Sequence, residues 1–593
     1  MELIITDNLT EKNIKGTFAF QIVSLRVLTK AELDIIKKYN LRRFYLPQLS
    51  RDDSEKFFLE FDAFWDEVAK QFSENHPFWR SAVSSKMQGW DNSVANLCLI
   101  LFTLLHMKES DTAKIIIICD CVETEQICAA WAKLYRWKTR IMPRFRLSYT
   151  IRLILQKIHN IWWALQRLGL CLSRKWVLRQ SCPHIYSGDE STLLLSLFYP
   201  SSFENGLYKD PFLGSLHRSL AAIGQKCVYL CEPLGSLNRS LAKAIVNCSE
   251  VSVFTSYSLV GWWELLRIAI KLYFRRIRIS KSAFLGCDFS KLLEWQAHCF
   301  RDSFNLNAEL IYFATSNLCK INELKKLICS YEGNVQERAC IQAYREHCTE
   351  NIIGYSQAII FPLNLKLRMT SREANSKPEP GKIVCTGPYA KELLQRVGKR
   401  DPSTLYDGCS IRNIAAIKPR DKPSKQHILV AFDAVGIVSS SILLEWLFES
   451  AGWFGDISVL LRFHPNLPAK TMLNQCSITM PGNFKVSDGD LSRDIKNSIC
   501  VLYRHSSVGL QAVLNGIPAF YLAINSPLSG DPMEELDAFK WIIREPNELT
   551  LVFKKIESIG LKERHDLQIR AQEFSTKYFS APNSENMKVF EQR

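Results

Sequence analysis

Two short segments near the end of the sequence combine residue types that could bind a phosphate group. In one of them, Ser506 and Ser507 follow the apolar run Ile499–Tyr503 and precede a helix that we predict over Val508–Leu514. Free N–H groups at the amino end of a helix, together with the helix dipole, favour a phosphate or diphosphate. The sequence therefore predicts an anion-binding loop at these two serines.

The other segment reads Arg462-Phe-His464-Pro465 and ends the apolar run Ile457–Phe463, which we predict as a buried strand. Open α/β sheets bind ligands at the carboxyl ends of their strands, so His464 is a candidate ligand-binding residue. A core histidine with satisfied hydrogen bonds is the alternative. The two segments together suggest a nucleotide site.

Four more residues extend this candidate site. Arg462 and Arg504 could bind a carboxylate or a phosphate through paired hydrogen bonds, although solvated surface arginines fit the sequence equally well. Asp433 and Gly436 follow the predicted strand Ile428–Phe432, so we expect them to line the same cleft. An ordinary turn is the alternative for this pair.

The elements that would position these residues alternate between strands and helices, which is typical of parallel α/β sheets. We predict a mainly helical region over residues 1–110, an α/β domain with basic insertions over 111–375, a second α/β domain over 376–570 and a tail or helix over 571–593. The polar segment Ser371–Gly381 is the clearest linker. Within the first α/β domain, the short apolar run Ala308–Ala314 is predicted as a strand.

Composition restricts the class of protein. The chain has 593 residues, of which 47% are hydrophobic and 23% charged, so it can form at least two large domains. Its 19 cysteines are scattered without zinc-ligand spacing, and Met1–Thr10 lacks the apolar core of a signal peptide. We therefore expect reduced thiols in a cytoplasmic protein with no bound metal or cofactor. No apolar run is long enough to predict a transmembrane helix.

Positive charge is concentrated in two segments. The formal net charge is +15, and residues 126–188 contain twelve Lys or Arg and no Asp or Glu. Apolar residues at helical spacing in this segment, and again in Trp262–Lys281, predict two amphipathic helices. Each helix also carries a pair of adjacent tryptophans, Trp162-Trp163 and Trp262-Trp263.

Basic side chains, an apolar face and interfacial tryptophans are typical of helices that lie on an anionic membrane. The alternative is a pair of ordinary amphipathic helices packed on a domain, with their basic residues solvated. Nucleic acid is a weaker interpretation, because no recognised binding motif accompanies the charge. We expect a membrane surface, and no nucleic acid, as the partner of these helices.

The order of the motifs resembles the carboxyl-terminal half of a GT-B glycosyltransferase. The segments ILVAFD, RFHP and SSVGLQAVLNGIP are similar to those of bacterial surface-carbohydrate biosynthesis proteins and of CMP-sugar transferases of the sialic acid and Kdo type. In those transferases an HP motif and an SS motif hold CMP, and they correspond here to His464-Pro465 and Ser506-Ser507. Gln511 stands where many retaining enzymes have a glutamate that contacts the ribose or the donor sugar.

The reaction that this resemblance implies needs a carboxylate, either as a base for an acceptor hydroxyl or as a nucleophile. The candidates are Glu204, Asp210, Glu332 and Glu337. The last two lie in a segment similar to the acceptor side of surface-carbohydrate proteins. A surface ion pair or a helix cap is the alternative for each carboxylate.

The resemblance implies two Rossmann-like domains and a metal-independent glycosyltransferase that uses a nucleotide-sugar donor, with a CMP-linked acidic sugar favoured. The acceptor would be a bacterial surface polysaccharide, such as an O-antigen or capsule, or a lipid-linked oligosaccharide. The enzyme would work in the cytoplasm, peripherally on the inner membrane. Two alternatives stay open: another GT-B enzyme, such as a nucleotide-sugar epimerase or a glycerophosphate transferase, and a non-catalytic GT-B scaffold in a glycan assembly complex.

Overall fold

The computed structural model describes most of the chain. The described residues are 2–6, 9–10, 21–26, 28–39, 41–72, 93–107, 114–142, 149–178, 190–234, 237–274, 277–299, 304–348, 350–370, 372–375, 378–411, 427–433, 436–464, 467–476 and 478–592. Within these ranges the strands form three parallel sheets, of five, seven and six strands, and two short antiparallel hairpins. The predicted α/β class with two Rossmann-like domains is confirmed, and the third parallel sheet adds to it.

The five-stranded sheet was not predicted. It contains β1 (Glu2–Thr6), β2 (Gln21–Ser24), β3 (Arg42–Arg43), β4 (Lys114–Ile118) and β5 (Lys138–Met142), in the order β3-β2-β4-β1-β5. Its helices are α1 (Lys30–Lys38), α2 (Arg51–Ala69), α3 (Ser93–His106) and α4 (Val122–Leu134). The region predicted as mainly helical, residues 1–110, consists mostly of helix where it is described, but it also contributes three of these strands. They are short, and β1 and β2 pair with β4, which lies far along the chain, so the local pattern is weak.

The seven-stranded sheet follows the long helix α5 (Tyr149–Leu178). It contains β6 (Ser191–Phe198), β9 (Lys226–Pro233), β10 (Ser252–Phe254), β13 (Leu324–Ser330), β14 (Ile352–Ser356), β15 (Lys382–Cys385) and β16 (Leu405–Asp407), in the order β10-β9-β6-β13-β14-β15-β16. The two hairpins pair β7 (Phe203–Glu204) with β8 (Leu207–Tyr208) and β11 (Ala283–Phe284) with β12 (Cys287–Asp288). The helices of this part are α6 (Leu216–Ala222), α7 (Arg239–Val246), α8 (Ser256–Leu259), α9 (Trp262–Phe274), α10 (Ser290–Cys299), α11 (Phe304–Ile321), α12 (Val335–His347) and α13 (Pro388–Gly398).

Two predictions in this region need correction. The run Ala308–Ala314 is not a strand but the middle of α11, because a short, mostly apolar run has no periodicity that separates a strand from a buried helix. The predicted domain boundary near residue 376 also differs from the structure. Strands β15 and β16 lie beyond it, yet they pair with β14 and extend the seven-stranded sheet.

The six-stranded sheet contains β17 (His427–Ala431), β18 (Val459–Arg462), β19 (Phe484–Val486), β20 (Ser498–Tyr503), β21 (Ala519–Leu522) and β22 (Lys540–Ile543), in the order β19-β18-β17-β20-β21-β22. Its helices are α14 (Ile437–Glu449), α15 (Ala469–Leu473), α16 (Leu491–Lys496), α17 (Val508–Leu514) and α18 (Pro546–Ser558). Side chains alternate between the two faces of each strand. As a result, Val430 and Leu502 pack in the core that contains α14, whereas Ala431 and Tyr503 pack in the core that contains α17.

The last two helices, α19 (Leu561–Tyr578) and α20 (Ser584–Glu591), return to the seven-stranded domain. The backbone N–H of Ile360 donates to the Tyr578 hydroxyl over 2.8 Å, and the Thr386 hydroxyl donates to the Tyr578 carbonyl over 2.9 Å. The Lys326 ammonium donates to the Phe590 carbonyl over 2.9 Å. The chain thus crosses from the seven-stranded to the six-stranded domain and back again.

Buried ion pairs join the five-stranded domain to both of its neighbours. Asp62 on α2 accepts from Arg368 Nη2 over 2.7 Å, and Arg368 follows β14 of the seven-stranded sheet. Arg43 on β3 donates from Nε to Glu445 on α14 of the six-stranded domain over 2.6 Å. Both pairs are largely removed from water. Opposite charges attract each other more strongly inside a protein than in water.

A second buried network lies in the seven-stranded domain. The carboxylate of Glu379 lies 2.5 Å from Arg338 Nη1 and 2.7 Å from Arg400 Nη1, and it also accepts from the Tyr331 hydroxyl. Burial alone would raise the pKa of Glu379, but the two guanidinium groups outweigh it and lower the pKa to about 2. Glu379 belongs to the segment predicted as a polar linker, so part of that segment is core.

The two basic amphipathic helices, α5 and α9, lie beside each other. Lys175 on α5 donates to the Val260 carbonyl, just before α9, over 2.6 Å, and its ammonium lies 5.5 Å from the ring centre of Trp262. Large apolar side chains of both helices face solvent: Ile151, Ile154, Leu155, Ile158, Ile161, Trp162, Leu165, Leu170, Trp176, Trp262, Trp263, Leu266 and Ile270. Across the described residues, no helix combines the length and the apolar character that crossing a membrane requires.

Candidate functional site

Two predicted site residues, Asp433 and His464, and the unpredicted His505 follow neighbouring strands at the carboxyl edge of the six-stranded sheet. Strand β17 is the central neighbour of β18 and β20, and its residue Ala431 is in register with Arg462 on one side and Tyr503 on the other. Asp433, His464 and His505 each lie two residues beyond one of these aligned positions. Register therefore places a carboxylate between two imidazoles where parallel sheets bind ligands.

Asp433 is buried and lies beside Arg504 and His505. Its Oδ2 lies 3.1 Å from Nδ1 of His505 and 3.6 Å from Nη2 of Arg504. Arg504 is fully buried and donates to the Ser439 hydroxyl over 2.6 Å. The predicted role of Arg504 as a ligand for an anion from solvent is therefore not supported by its position. Its guanidinium instead holds the end of β20 against the start of α14.

The His505 ring is tightly enclosed. Its Nε2 lies 3.2 Å from the Ser526 hydroxyl, and its ring stacks on Phe361 with centres 5.8 Å apart. A Cβ atom at Gly530 would collide with the ring, so a glycine is required there. Burial lowers the pKa of His505, and the nearby Asp433 only partly offsets that effect.

His464 lies at the end of β18, as predicted, and its side chain is half-buried. Burial lowers its pKa from the usual value, while the charge of Asp433 acts in the opposite direction. The ring is thus neutral near pH 7, and a bound phosphate would find an N–H donor there. Pro465 lies outside the described residues.

The serine loop and its helix form as predicted. Helix α17 begins after Ser507, and the Ser506 hydroxyl accepts from the Val508 backbone N–H over 3.3 Å. Gln511 lies half-buried on α17, and its carbonyl accepts from the side chain of Asn515. Ser507 makes no side-chain cap hydrogen bond.

Arg462 and Gly436 have structural roles at this site. Arg462 Nη1 lies 2.6 Å from Asp494 and donates to the Gly489 carbonyl over 2.8 Å, so this guanidinium fastens the loop before α16. Gly436 adopts a φ of 151° and is the first residue before α14. Glycine adopts such a positive φ without the strain that a side chain would cause.

The four candidate carboxylates fall in different places. Glu204 is exposed on the β7–β8 hairpin, and Asp210 is buried, accepting from the Ser196 hydroxyl and from two backbone N–H groups. Burial raises the pKa of Asp210. Glu337 caps α12 by accepting from the backbone N–H of Asn334 over 2.9 Å. Burial, and next the Glu332 carboxylate, raise the pKa of Glu337 to about 7.

Glu332 is the candidate best placed for chemistry. It lies two residues beyond β13, at the carboxyl edge of the seven-stranded sheet, and 27% of its side chain is exposed. Gln357 donates to it over 2.8 Å, and Lys366 Nζ lies 3.7 Å away. The segment after β14 thus contacts Glu332 through Gln357 and His505 through Phe361, which connects the two sheet edges.

The structure adds residues that the sequence analysis did not single out. His505, between Arg504 and Ser506, carries the same strand-end signal as its neighbours. Ser439, near the start of α14, and Asn525 and Ser526, shortly after β21, contribute to the same edge. They line a cavity of about 400 Å³ between the five-stranded and six-stranded sheets, which we call the interdomain cavity.

A larger cavity, of about 940 Å³, lies elsewhere. Ser191, Lys226 and Ser252, the first residues of β6, β9 and β10, contribute to its lining. It therefore lies at the amino edge of the seven-stranded sheet, opposite the edge at which such sheets bind ligands. In the described residues no cluster of His, Cys, Asp or Glu has the arrangement of a metal site.

Comparison of the sequence with protein-family models and with curated proteins gives no match. Solved structures with some similarity include MurG of Acinetobacter baumannii, at 10% identity and a TM-score of 0.35, covering 67% of this chain and 98% of that one. WaaG, a glycosyltransferase involved in lipopolysaccharide biosynthesis, gives 10% identity and a TM-score of 0.37, covering 68% and 100%. A variant of the wall teichoic acid polymerase TagF gives 11% and 0.35, covering 74% and 96%. Such low identities and TM-scores do not establish a shared activity.

Proposed function

We propose that the protein is a metal-independent glycosyltransferase that uses a nucleotide-sugar donor. The observation that carries this proposal is the alignment of Asp433, His464 and His505 at one sheet edge, beside the Ser506-Ser507 loop. A half-buried neutral imidazole and a helix amino end both suit a phosphate that becomes a leaving group. The HP and SS motifs favour CMP, and hence a CMP-linked acidic sugar, as the donor.

The second substrate of this reaction is an acceptor with a free hydroxyl. Glu332 is our candidate for the base, because it combines partial exposure with a position at the carboxyl edge of the seven-stranded sheet. The contacts of Gln357 and Phe361 connect it to the edge that we propose for the donor. Glu204, Asp210 and Glu337 are weaker candidates, since they are either on an exposed hairpin or engaged in structural hydrogen bonds.

A membrane surface is part of this proposal. Many large apolar side chains of α5 and α9 face solvent, and Trp263 is 83% exposed, although Leu265 and Ile268 pack in the core. Lys157, Arg267 and Lys271 are exposed on the same two helices. An apolar surface with basic residues around it matches an anionic lipid interface, where a lipid-linked or growing surface polysaccharide would be the acceptor. We place the protein peripherally on the inner face of a bacterial cytoplasmic membrane.

A thermal-shift screen tests the donor class. A ligand that binds only the folded state raises the melting temperature, so CMP, UDP, GDP and CDP are compared at equal concentration. We expect CMP to give the largest shift. The ligand with the largest shift is then titrated into the protein by isothermal calorimetry. No shift and no heat with any of the four nucleotides would contradict the proposed function.

A further inference from the structure

The interdomain cavity lies where two parallel sheets present their carboxyl edges to each other. Ser24 ends β2 and Asp120 follows β4 of the five-stranded sheet, while His505 follows β20 and Asn525 follows β21 of the six-stranded sheet. Carboxyl ends of parallel strands are the usual ligand-binding positions of α/β proteins. In this cavity two such edges border one space, whose volume of about 400 Å³ is in the range of small-molecule sites.

The walls of the cavity are held in place by direct contacts between the two domains. Beside the buried Arg43–Glu445 pair, the Leu46 backbone N–H donates to Asn525 Oδ1 over 3.1 Å. The Leu49 N–H donates to the Pro527 carbonyl over 2.8 Å. Because these bonds join residues next to the lining, the cavity is pre-formed rather than a loose gap between domains.

The polar lining is rich in hydrogen-bonding groups but carries little net charge. Arg26 is the one cationic residue among the lining residues that the structure describes, and Glu32 binds it over 2.6 Å and 2.9 Å. His505 is neutral near pH 7 because burial lowers its pKa. A phosphate or carboxylate ligand would therefore meet no uncompensated cation. Hydroxyl groups, in contrast, suit the mixture of donors and acceptors at Asn96, Asp120 and Asn525.

The remaining walls of the cavity are apolar. Val23, Leu99 and Ile437 provide surface for the C–H groups of a sugar ring.

The cavity lies on the face of the six-stranded sheet that carries α14. Helices α14 and α17 pack in different cores, on opposite faces of the sheet, and the cavity is lined by the start of α14. A ligand in the cavity thus approaches His505 from the face of the sheet that carries α14, whereas the serine loop leads into α17 on the other face.

We infer that the interdomain cavity binds a neutral, hydroxyl-rich sugar, and that this sugar is one residue of the acceptor glycan. The inference rests on the proposed function, and it gives the five-stranded domain a role in substrate binding. Asn96 and Asp120 bind hydroxyl groups of the sugar from one side, and the Asn525 amide binds it from the other side, beside the His505 ring.

The test uses saturation-transfer difference NMR of the full-length protein with methyl glycosides of neutral and of acidic sugars. We expect saturation transfer to at least one neutral glycoside and none to the acidic ones. Val23→Phe fills the cavity and Asn96→Leu removes its amide at nearly constant size, so each should weaken glycoside binding at least tenfold. Val486→Phe, on the edge strand β19, is the matched control and should leave binding unchanged.

Nucleotide binding is measured in the same samples by calorimetry. Retained nucleotide binding in Val23→Phe and Asn96→Leu shows that these variants are folded, so a loss of glycoside binding then supports the inference. The sugar site is overturned by the absence of transfer to all neutral glycosides, or by transfer that survives both substitutions. Transfer only to a nucleotide-linked sugar overturns its assignment to the acceptor. Glycoside binding without any nucleotide binding would contradict the proposed function and leave the sugar site standing.

Discussion

The imidazole of His505 lies against the carboxylate of Asp433, with Nδ1 and Oδ2 3.1 Å apart. Since burial lowers the pKa of His505, the ring is neutral near pH 7. Its other nitrogen, Nε2, lies 3.2 Å from the Ser526 hydroxyl, which itself donates to the Leu528 carbonyl over 2.8 Å. These contacts on both ring nitrogens fix the orientation of His505 where the interdomain cavity meets the strand ends.

Removing this carboxylate should destabilise the protein. Asp433→Ala leaves the fully buried guanidinium of Arg504 without a counter-charge, which typically costs about 3–5 kcal/mol of unfolding free energy. Urea denaturation followed by circular dichroism measures the change. Asp490→Ala, which removes an exposed cap of α16, should cost only about 1 kcal/mol. Equal effects of the two substitutions would show that the buried charge is not needed.

Nucleotide binding should depend on His464 and Ser506. His464→Ala and Ser506→Ala each remove one hydrogen bond to phosphate, so each should weaken affinity by roughly 1.5–3 kcal/mol in titration calorimetry. Both residues lie at strand or loop ends, so the fold should persist. Asn474→Ala, beyond α15, serves as a control without an expected effect. Unchanged nucleotide affinity in both site variants would show that the phosphate does not bind at this edge.

Catalysis should depend on Glu332 more than on the other carboxylates. If Glu332 is the base, Glu332→Gln keeps the hydrogen bond from Gln357 but cannot accept a proton, so the transfer rate should fall by about 10²–10⁴-fold. Nucleotide affinity should stay unchanged, and Glu204→Gln on the exposed hairpin should have full activity. Radiolabelled sugar transfer to extracted lipid-linked acceptor measures the rate. A fully active Glu332→Gln enzyme would exclude this residue as the base.

Stability should depend on pH through Glu379. Its pKa is lowered to about 2, against 4.5 for an unperturbed glutamate, so its contribution to stability is present above pH 4.5 and is lost as pH falls towards 2. Glu379→Gln should therefore lower the unfolding free energy at pH 7 by about 3–5 kcal/mol, because two guanidinium groups stay buried. The difference from the unmodified protein should shrink between pH 4.5 and 3 in urea titrations. A difference that is constant over this range would argue against an ionised Glu379.

Membrane binding should rest mainly on the apolar surface of α5 and α9. Several basic residues of α5 are already engaged, since Arg152 pairs with Glu123 and Arg174 donates to the Tyr257 hydroxyl. The protein should sediment with anionic vesicles, and high salt should release only part of it. Ile158→Ser with Trp263→Ser should abolish sedimentation, whereas Trp453→Ser, an exposed tryptophan of the six-stranded domain, should not. Failure of the protein to sediment with anionic vesicles at low salt would contradict the membrane proposal.

The carboxyl-terminal half of the site was predictable because its signals are local. The serine loop, the helix Val508–Leu514 and the strand before His464 follow from apolar runs and capping residues that are contiguous in sequence. The pairing of Asp433 with His505 was not predictable. It depends on strand order, which places β17 beside β20 although about seventy residues separate the two side chains in the chain.

The five-stranded sheet could not be predicted from the sequence because its first strands are too short. Strand β3 has two residues and β2 has four, and neither has a periodic pattern long enough to identify a strand. Glu379 illustrates a related case, because a segment rich in Pro, Gly and charged residues indicates a linker. Its burial becomes favourable only when Arg338 and Arg400 are brought to it by the fold.

The buried pairs Asp62–Arg368 and Arg43–Glu445 have a mechanical consequence. The chain crossings already join the seven-stranded and six-stranded domains, and each of these domains also contacts the five-stranded domain through a buried ion pair. The three domains are thus connected pairwise, and none of them is free to rotate about a single linker. Opening the cleft between the two larger domains would have to break contacts that the five-stranded domain makes with one of them, so this domain limits how far the cleft can open.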